Sequence, residues 1–484
     1  MPRKGPRATD TGNLPADGGP AAPSADHPKA DEEDSMRIVH RLAALIAGAC
    51  LAAPATVGAA GPFVDVGKQE PITILTPSTP WTGAFTSLVA LYEEQTGNKI
   101  KLDVNPFGGV LEKARNDLRA GGGGYDAVML DTQWTIEMYE GGFLTPFADI
   151  EPGYDAPKEV LRYDDSGYWN EQKRWRTSKG GKLMAFTVLG NVPLWYYRTD
   201  ALKEAGITPP RTIPEVLASC AKLSKPPATY GAVIRAERGN GIRYEWSQWM
   251  VGRGGTVARD PENGDYTVVV NSRENKAALD DFIEVVRKCG VPNPGAIGQN
   301  DVIQLLSTGK ALQGQLVLAA WANFQDPKKS AVVGKLDVAP IPRAPDGRNG
   351  AVIGNWNYAI PKAIGPARKK AALAFAKWMM SYDAQIAYAK AGGIPNRVDV
   401  LTSDLARDPA YRWMPAYLET LKTAKQELGY LEGPQVEQIL GLRLNQAVIG
   451  ELSSGKALNL AAQEIRDVFD KNKRRTGLLA PLPE

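Results

Sequence analysis

The chain has 484 residues, with 57 Lys and Arg against 54 Asp and Glu and a formal net charge of +3. A charge balance so close to neutral gives no electrostatic basis for binding nucleic acid or an anionic membrane surface. The length exceeds what one ordinary hydrophobic core organises, so we expect two domains.

A secretory leader is predicted from Met36. Arg37 and Arg41 form a short basic start, an apolar run occupies residues 42–53, and small residues at 58–60 suit cleavage by a signal peptidase. We therefore predict residues 36–60 to be a signal peptide and the mature protein to be periplasmic or extracellular. Residues 1–35 are rich in Pro and Gly and cannot build a packed core, so they are interpreted as a disordered extension or a start assigned too early.

The numbers and positions of cysteine and histidine limit the catalytic and metal-binding chemistry that the mature chain can carry out. Both histidines, His27 and His40, precede the predicted cut, which removes Ser-His and Cys-His nucleophilic machinery and His-based metal sites from the mature chain. We expect no catalytic residue, no metal and no cofactor. Cys50 offers an alternative to cleavage at 58–60, namely lipid anchoring. The two later cysteines, Cys220 and Cys289, are either buried thiols on helices or a disulfide.

Hydrophobic periodicity predicts an α/β protein. The predicted strands cover residues 72–75, 100–104, 127–130, 266–270, 316–320 and 337–341, with a long apolar stretch at 184–197. The predicted helices cover 85–95, 111–119, a segment ending near 139, 214–223, 275–288, 367–381 and 384–391, followed by a helical region from 410 to 475. Strands and helices alternate at the start of the chain, which favours a mostly parallel sheet covered by helices.

Six separated segments resemble one known family. They are YDAVMLDTQWTIEMYEGGFLTPFADI, KLMAFTVLGNVPLWYYRTDALKEAGI, LVLAAWANF, LDVAPIPRAPDG, GNWNYAIPK and AFAKWMMSYDAQIAYAKAGGIPNR. In this order and spacing they are similar to the extracellular solute-binding proteins of ABC importers, in the maltose-binding-protein-like group (family 1). The likeness covers nearly all of residues 72–472.

The resemblance implies two α/β lobes joined by crossing hinge strands, with a ligand cleft between lobes that close on the ligand. By analogy one lobe comprises residues 68–187 plus 340–392, and the other 188–339 plus 393–476. The implied function is to bind a carbohydrate, meaning a sugar, an oligosaccharide or a polyol, and to deliver it to the permease subunits of an ABC importer. The implied protein is a monomer without enzymatic activity.

A sugar site needs flat aromatic platforms for C–H faces and polar side chains for hydroxyl groups. Such residues follow several predicted strands, where open α/β sheets bind ligands. The expected ligand-binding residues are Ser78, Trp81, Asp131, Trp134, Asn191, Tyr244, Trp246, Trp321, Asn355, Trp356 and Arg397. Each tryptophan has core packing as its alternative role, and Asp131 and Arg397 have helix capping as theirs.

Two other functions stay open at the level of sequence. The same fold could bind an acidic sugar derivative or a phosphate ester, clamped by Arg235, Arg238, Arg243 or Arg397. Alternatively, a pair of carboxylates could serve a secreted carbohydrate-active hydrolase or lyase. The glycine run at 121–124 is not a phosphate cradle, because no GK[ST] follows and the run precedes a strand.

Overall fold

The computed structural model describes residues 63–483. Residues 1–35, the predicted leader at 36–60 and the possible lipidation residue Cys50 lie outside the described residues. Within residues 63–483, no helix is both long and apolar enough to cross a bilayer.

The bounds of the strands and helices are as follows. The strands are β1 (Ile72–Pro77), β2 (Ile100–Asn105), β3 (Ala127–Asp131), β4 (Tyr168–Trp169), β5 (Lys182–Leu183), β6 (Ala185–Leu189), β7 (Pro193–Arg198), β8 (Val233–Ile234), β9 (Ala258–Asp260), β10 (Asp265–Val268), β11 (Gln313–Val317), β12 (Leu336–Ala339), β13 (Ala351–Val352), β14 (Trp356–Ala359), β15 (Ala424–Lys425) and β16 (Thr476–Leu478). The helices are α1 (Thr82–Thr96), α2 (Phe107–Arg119), α3 (Thr132–Glu140), α4 (Phe147–Ile150), α5 (Thr199–Glu204), α6 (Ile213–Leu223), α7 (Asn240–Gly252), α8 (Arg273–Cys289), α9 (Gln299–Ser307), α10 (Trp321–Gln325), α11 (Pro366–Met379), α12 (Tyr382–Lys390), α13 (Val398–Leu401), α14 (Met414–Leu421), α15 (Gly433–Ile449) and α16 (Ser454–Lys471).

Two larger sheets organise the described chain. The first has the strand order β2-β1-β3-β14-β6, with β1 parallel to β2 and β3, and β14 antiparallel to its two neighbours. The second has the order β12-β7-β11-β8, in which β7 runs antiparallel to β11 and β12 while β8 and β11 are parallel. The expectation of parallel pairing holds for the first three strands, and the later strands make both sheets mixed.

The chain crosses from the first sheet to the second between β6 and β7. The apolar stretch predicted at 184–197 is therefore two strands separated by residues 190–192. Gly190 is required at this crossing because a Cβ atom there would lie 2.0 Å from the hydroxyl oxygen of Tyr163. Both strands are buried along almost their whole length, which explains why the sequence has no polar alternation here.

Most predicted elements are present, and two regions differ in their bounds. The strand predicted at 316–320 is β11 followed by a short 3₁₀ turn at Leu318–Ala320, because the backbone N–H of Ala319 donates to Asn191 Oδ1 instead of continuing the ladder. The helical region predicted from 410 to 475 consists of α14, α15 and α16, which are separated by residues 422–432 and 450–453.

Buried aromatic side chains form the core on both sheets. Beside the first sheet, the ring of Tyr92 lies 5.0 Å from that of Phe375 and 5.2 Å from that of Trp378, between centroids. Beside the second, the ring of Trp249 on α7 lies 5.7 Å from that of Phe282 on α8. The side chain of Trp378 is fully buried in this core.

A disulfide joins Cys220 on α6 to Cys289 at the end of α8. Their Cα atoms lie 5.4 Å apart, and the bridge spans 69 residues of sequence. Both side chains are buried against the second sheet's core. Of the two alternatives that the sequence left open, the structure has the bridge.

We predict that replacing both cysteines by serine lowers the free energy of unfolding by about 2–4 kcal/mol, because the loop is no longer closed in the unfolded chain. Urea unfolding of the oxidised wild type and of C220S/C289S measures the difference. Dithiothreitol should lower the melting temperature of the wild type and leave that of the double variant unchanged. A wild-type melting temperature that is insensitive to the reductant would contradict the prediction.

Candidate functional site

A cavity of about 920 Å³ lies where strand ends of the two sheets meet. From the first sheet it takes the residues that follow β1, β3 and β6, and from the second those that follow β8 and β11. The N-terminal ends of α7 and α9, the start of β14, and Phe107, Asn323 and Glu427 complete its lining. Carboxyl ends of strands in open α/β sheets are the usual place for a ligand, so the topology itself puts the cavity there.

The wall on the side of the first sheet is aromatic. Trp81, Phe107 and Trp356 line the cavity. The ring of Trp356 lies 6.3 Å from that of Trp81 and 5.8 Å from that of Phe107, between centroids. Trp134 lies behind this wall, with its ring 5.4 Å from that of Trp356. The wall offers apolar surface of the kind that packs against the C–H faces of a small molecule.

Asn191 connects the two sheets at the base of the cavity. Its backbone N–H donates to Asn355 Oδ1 at 3.2 Å, and its carbonyl accepts from the N–H of Gly354 at 2.8 Å. Its side-chain Oδ1 accepts from the N–H of Ala319 at 3.3 Å. Tyr244 on α7 lines the cavity nearby, and its hydroxyl donates to the carbonyl of Val352 at 3.0 Å.

Helix α7 is buried on nearly every face, although it carries charged side chains. Buried charges need partners. Glu245 accepts from Arg235 Nε at 2.6 Å, and Glu437 on α15 forms an ion pair with Arg243. Asn240 Nδ2 donates to the same Glu437 at 2.8 Å. Both cavity arginines are therefore paired with glutamates in the wall.

Three carboxyl groups of the lining have raised pKa values. Burial raises the pKa of Asp131 to about 7, although the backbone N–H of Gln133 donates to it. Burial also raises the pKa of Glu427 to about 7, against the attraction of Arg176 and Arg243. The pKa of Glu237 is raised for the same reason. Burial thus favours the neutral form of all three carboxyl groups.

Three buried polar atoms of the lining have no hydrogen-bond partner among the described residues: Trp81 Nε1, Gln133 Oε1 and Arg243 Nε. A buried donor or acceptor without a partner costs about 1–3 kcal/mol. A polar molecule in the cavity can supply hydrogen bonds to these three atoms.

Of the residues expected from the sequence, six line this cavity: Ser78, Trp81, Asp131, Asn191, Tyr244 and Trp356. Asp131 also accepts from the N–H of Gln133 at 3.1 Å and caps α3, so it serves as a helix cap while it lines the cavity. Trp134 packs behind the wall. Asn355 is fully buried, and its side chain holds the crossing strand through the Asn191 N–H, so it positions the site without lining it.

The structure places the other three expected residues elsewhere. Trp246 is fully buried on α7 and does not reach the cavity. Trp321 lies in a separate cavity of about 290 Å³, where its Nε1 donates to the carbonyl of Ala410 at 3.0 Å and the guanidinium of Arg412 lies over its ring. Arg397 binds Asp399 and the carbonyl of Met380. The expectation that these three line the cleft is corrected because each is committed to other contacts.

Sequence reasoning did not include several polar residues of the lining: Gln133, Glu237, Asn240, Gln299, Asn300, Asp301, Asn323 and Glu427. The apolar Phe107 was not included either. Of the four arginines considered as an anion clamp, Arg235 and Arg243 line the cavity and Arg238 and Arg397 do not. Polar residues at the start of α7 and α9 follow strand or loop ends, which is a usable signal. Glu427 lies between β15 and α15, and no local pattern singles it out.

We predict that stability falls as the pH rises, because of Asp131 and Glu427. Both carboxyls ionise near their ordinary pKa values of 3.8 and 4.5 when unfolded and near 7 when folded. The folded state holds more protons between these values, so its stability is present at low pH and is lost toward pH 7. D131N and E427Q should each raise the free energy of unfolding at pH 8 by about 1 kcal/mol or more.

Urea unfolding at pH 5 and pH 8 measures this difference. Asparagine caps a helix as well as aspartate does, so D131N keeps the start of α3. Glu171→Gln is the control because Glu171 is exposed and does not line the cavity. A gain that is equal at both pH values would show that the gain comes from packing and not from ionisation.

Comparison with known proteins places this geometry in a family. The family model described as bacterial extracellular solute-binding protein matches residues 78–386. A probable amino-acid ABC transporter periplasmic-binding protein of Sinorhizobium fredii is 25% identical over 397 residues, which cover 80% of this chain and 86% of that protein. The mannitol-binding protein of Pseudomonas aeruginosa is 24% identical over 451 residues, covering 87% of this chain and 96% of that protein.

A solved structure supports the same assignment of fold. The crystal structure of an ABC transporter solute-binding protein from Agrobacterium radiobacter, in complex with ribitol, matches with a TM-score of 0.71 at 23% identity, covering 83% of this chain and 99% of that chain. The α/β two-lobed binding-protein fold expected from the sequence is thereby confirmed. The chain belongs to the bacterial extracellular solute-binding protein family.

Proposed function

We propose that this protein is the extracytoplasmic binding component of an ABC importer and that its ligand is a carbohydrate, namely a sugar, an oligosaccharide or a polyol. It delivers this ligand unaltered to the permease subunits in the membrane. The family and the mannitol- and ribitol-binding relatives support the proposal. The amino-acid name of the Sinorhizobium relative supplies the competing class of ligand.

The observation that carries the proposal is the composition of the 920 Å³ cavity: an aromatic wall faces side chains that donate and accept hydrogen bonds. A carbohydrate has apolar C–H faces and a rim of hydroxyl groups, each of which both donates and accepts. Trp81, Phe107 and Trp356 suit the faces. Carboxylates and amides such as Asp131 and Asn300 suit the hydroxyl groups, because they can accept from or donate to adjacent oxygens.

We propose that the ligand contacts residues of both sheets. Ser78, Trp81, Asp131 and Trp356 contact it from the first, and Tyr244 from α7 beside the second. Ligand held from both sides favours a closed form, because closure is driven by contacts that only the closed form makes. The proposed lobes are residues 68–187 plus 340–392 and residues 188–339 plus 393–476, with the hinge near Asn191.

We further propose that the protein is exported by the leader at 36–60 and acts as a monomer, with lipid anchoring through Cys50 as the alternative to cleavage. The acidic-ligand alternative loses support, because Arg235 and Arg243 already have Glu245 and Glu437 as partners. A hydrolase would need the cavity carboxyls to act on a bound glycoside. That alternative is tested by turnover.

We predict that a thermal-shift screen of the mature protein yields a sugar or polyol ligand. At a hundred times its Kd such a ligand stabilises the folded state by about 2.7 kcal/mol. The screen contains sugars, polyols, sugar acids, glycerol phosphates and the common amino acids. Chromatography after prolonged incubation should recover the tightest ligand unchanged. Stabilisation by amino acids alone would contradict the carbohydrate proposal, and a product formed above background would favour the hydrolase.

We predict that Trp356→Ala weakens binding of the screened ligand by about 1–3 kcal/mol, the usual cost of truncating a buried anchor. Isothermal titration calorimetry measures the change. Trp321→Ala is a matched control, because Trp356 is 4% exposed and Trp321 6% exposed, yet Trp321 lines the other cavity. Equal losses of affinity in the two variants would indicate a general effect on folding. A loss confined to Trp321→Ala would place the binding site in the cavity beside Trp321.

A further inference from the structure

The charged side chains of the cavity are unbalanced in favour of negative charge. Four carboxyl groups line it, those of Asp131, Glu237, Asp301 and Glu427, against the two guanidinium groups of Arg235 and Arg243. Carbohydrates without a charged group need no such excess. The imbalance therefore bears on the chemistry of the ligand.

The two arginines contribute little free positive charge to the cavity. Arg235 Nε donates to Glu245 Oε1 at 2.6 Å, and Glu245 is fully buried. Arg243 is paired with Glu437, and both side chains are almost fully buried. Each arginine is thus neutralised within the wall by a glutamate that does not line the cavity. Among the described residues, neither arginine forms an ion pair with a carboxyl group of the lining.

The four carboxyl groups have few partners of their own. Among residues 63–483, the carboxyl groups of Glu237 and Glu427 make no hydrogen bond and no ion pair, while those of Asp131 and Asp301 accept from the backbone N–H groups of Gln133 and Gly298 at the starts of α3 and α9. Glu427 is attracted by Arg176, which donates to Asp164 at 3.2 Å, by Arg243 and by the exposed Lys425. Carboxyl oxygens of the lining are therefore available to accept hydrogen bonds from a ligand in the cavity.

Two glycines leave space for the carboxylate of Glu237. A Cβ atom at Gly298 would lie 2.0 Å from Glu237 Oε2, and one at Gly241 would lie 2.5 Å from Glu237 Oε1. The carboxylate occupies a slot that a side chain at either position would fill. A second acceptor points to the same conclusion independently: Gln133 lines the cavity, is 8% exposed, and its Oε1 has no partner among the described residues.

From this arrangement we propose, on the basis of the proposed function, that the ligand is a polyhydroxylated amine, such as an amino sugar or an aminopolyol, and that its ammonium group is bound by the lining carboxylates. An ammonium group has three donors and no acceptor, which complements carboxyl oxygens without hydrogen-bond partners, and its positive charge favours the ionised form of these carboxyl groups. The aromatic wall takes the carbon skeleton. A sugar acid or a zwitterionic amino acid would bring a carboxylate into a cavity whose arginines are already paired.

The test compares matched ligands that differ in one group. Isothermal titration calorimetry of the full mature protein is carried out with four pairs: sorbitol and 1-amino-1-deoxysorbitol, glucose and glucosamine, galactose and galactosamine, and mannose and mannosamine. Gluconate is the anionic control. In the pairs that bind, we expect the amine to bind at least tenfold more tightly than its neutral counterpart and gluconate to bind most weakly of all.

Two variants test whether the lining carboxylates bind the ammonium group. Glu237→Gln and Glu427→Gln keep the shape of the side chain and remove its charge. Each should weaken binding of the amine at least tenfold more than it weakens binding of the neutral counterpart, since only the ammonium group loses an ionic partner. Glu171→Gln, at an exposed position outside the cavity, should change neither affinity. Thermal melting of the ligand-free variants checks that they fold. If a variant does not fold, the affinities of the wild-type protein for the ligand pairs test the inference.

The outcomes separate this inference from the proposed function. If neutral sugars or polyols bind as tightly as their amines, or gluconate binds more tightly, the inference is overturned and the carbohydrate function stands. If no member of any pair binds while amino acids do, both are overturned. Equal losses for amine and neutral ligand in Glu237→Gln and Glu427→Gln would assign these carboxylates a structural role and overturn the inference.

Discussion

The crossing of the chain at Asn191 is the constraint on which the rest of the structure depends. Residues 190–192 leave the last strand of the first sheet and enter the second sheet, so the two sheets share a short stretch of backbone. Asn191 is hydrogen-bonded to Gly354 and Asn355 at the start of β14 and to Ala319 beyond β11. The strand ends of both sheets therefore meet at one place, and the cavity lies there.

Several charged side chains are buried at the place where the strand ends of the two sheets meet. Helix α7 enters the space beside the crossing with Arg243 and Glu245, and the pairs Arg243–Glu437 and Arg235–Glu245 satisfy them. Buried ion pairs add little stability compared with well-packed apolar residues, but breaking one leaves a costly unpaired charge. The Arg243–Glu437 pair joins α7 to α15, and the Arg235–Glu245 pair joins the end of β8 to α7. Asp131, Glu237 and Glu427 take no part in these pairs and line the cavity.

The sequence predicted the fold class and much of the site on the side of the first sheet. Strand β3 is an uninterrupted apolar run with Asp131 at its end, and a residue that follows a buried strand is placed by topology alone. Trp356 sits at the start of β14 beside that strand. Local patterns were sufficient there because each residue lies one step from a strand end.

The second sheet's side was less predictable, because tertiary contacts decide it. Trp321 and Trp246 follow patterns that resemble a binding site, yet Arg412 covers the first and the core encloses the second. Glu427 lies in a loop nearly three hundred residues away in sequence from Asp131, and only the folded chain brings both to one cavity. Whether an arginine is free or paired also depends on a partner that is distant in sequence, as Glu437 is from Arg243.

The crystal structure of the mature protein with its tightest ligand tests the central claim most directly, which is that the cavity at the Asn191 crossing is the binding site. We expect ligand density between Trp356 and Tyr244, with hydrogen bonds to at least one of Asp131, Glu237 and Glu427. Density in the cavity beside Trp321, with the space at the crossing filled only by water, would contradict the account.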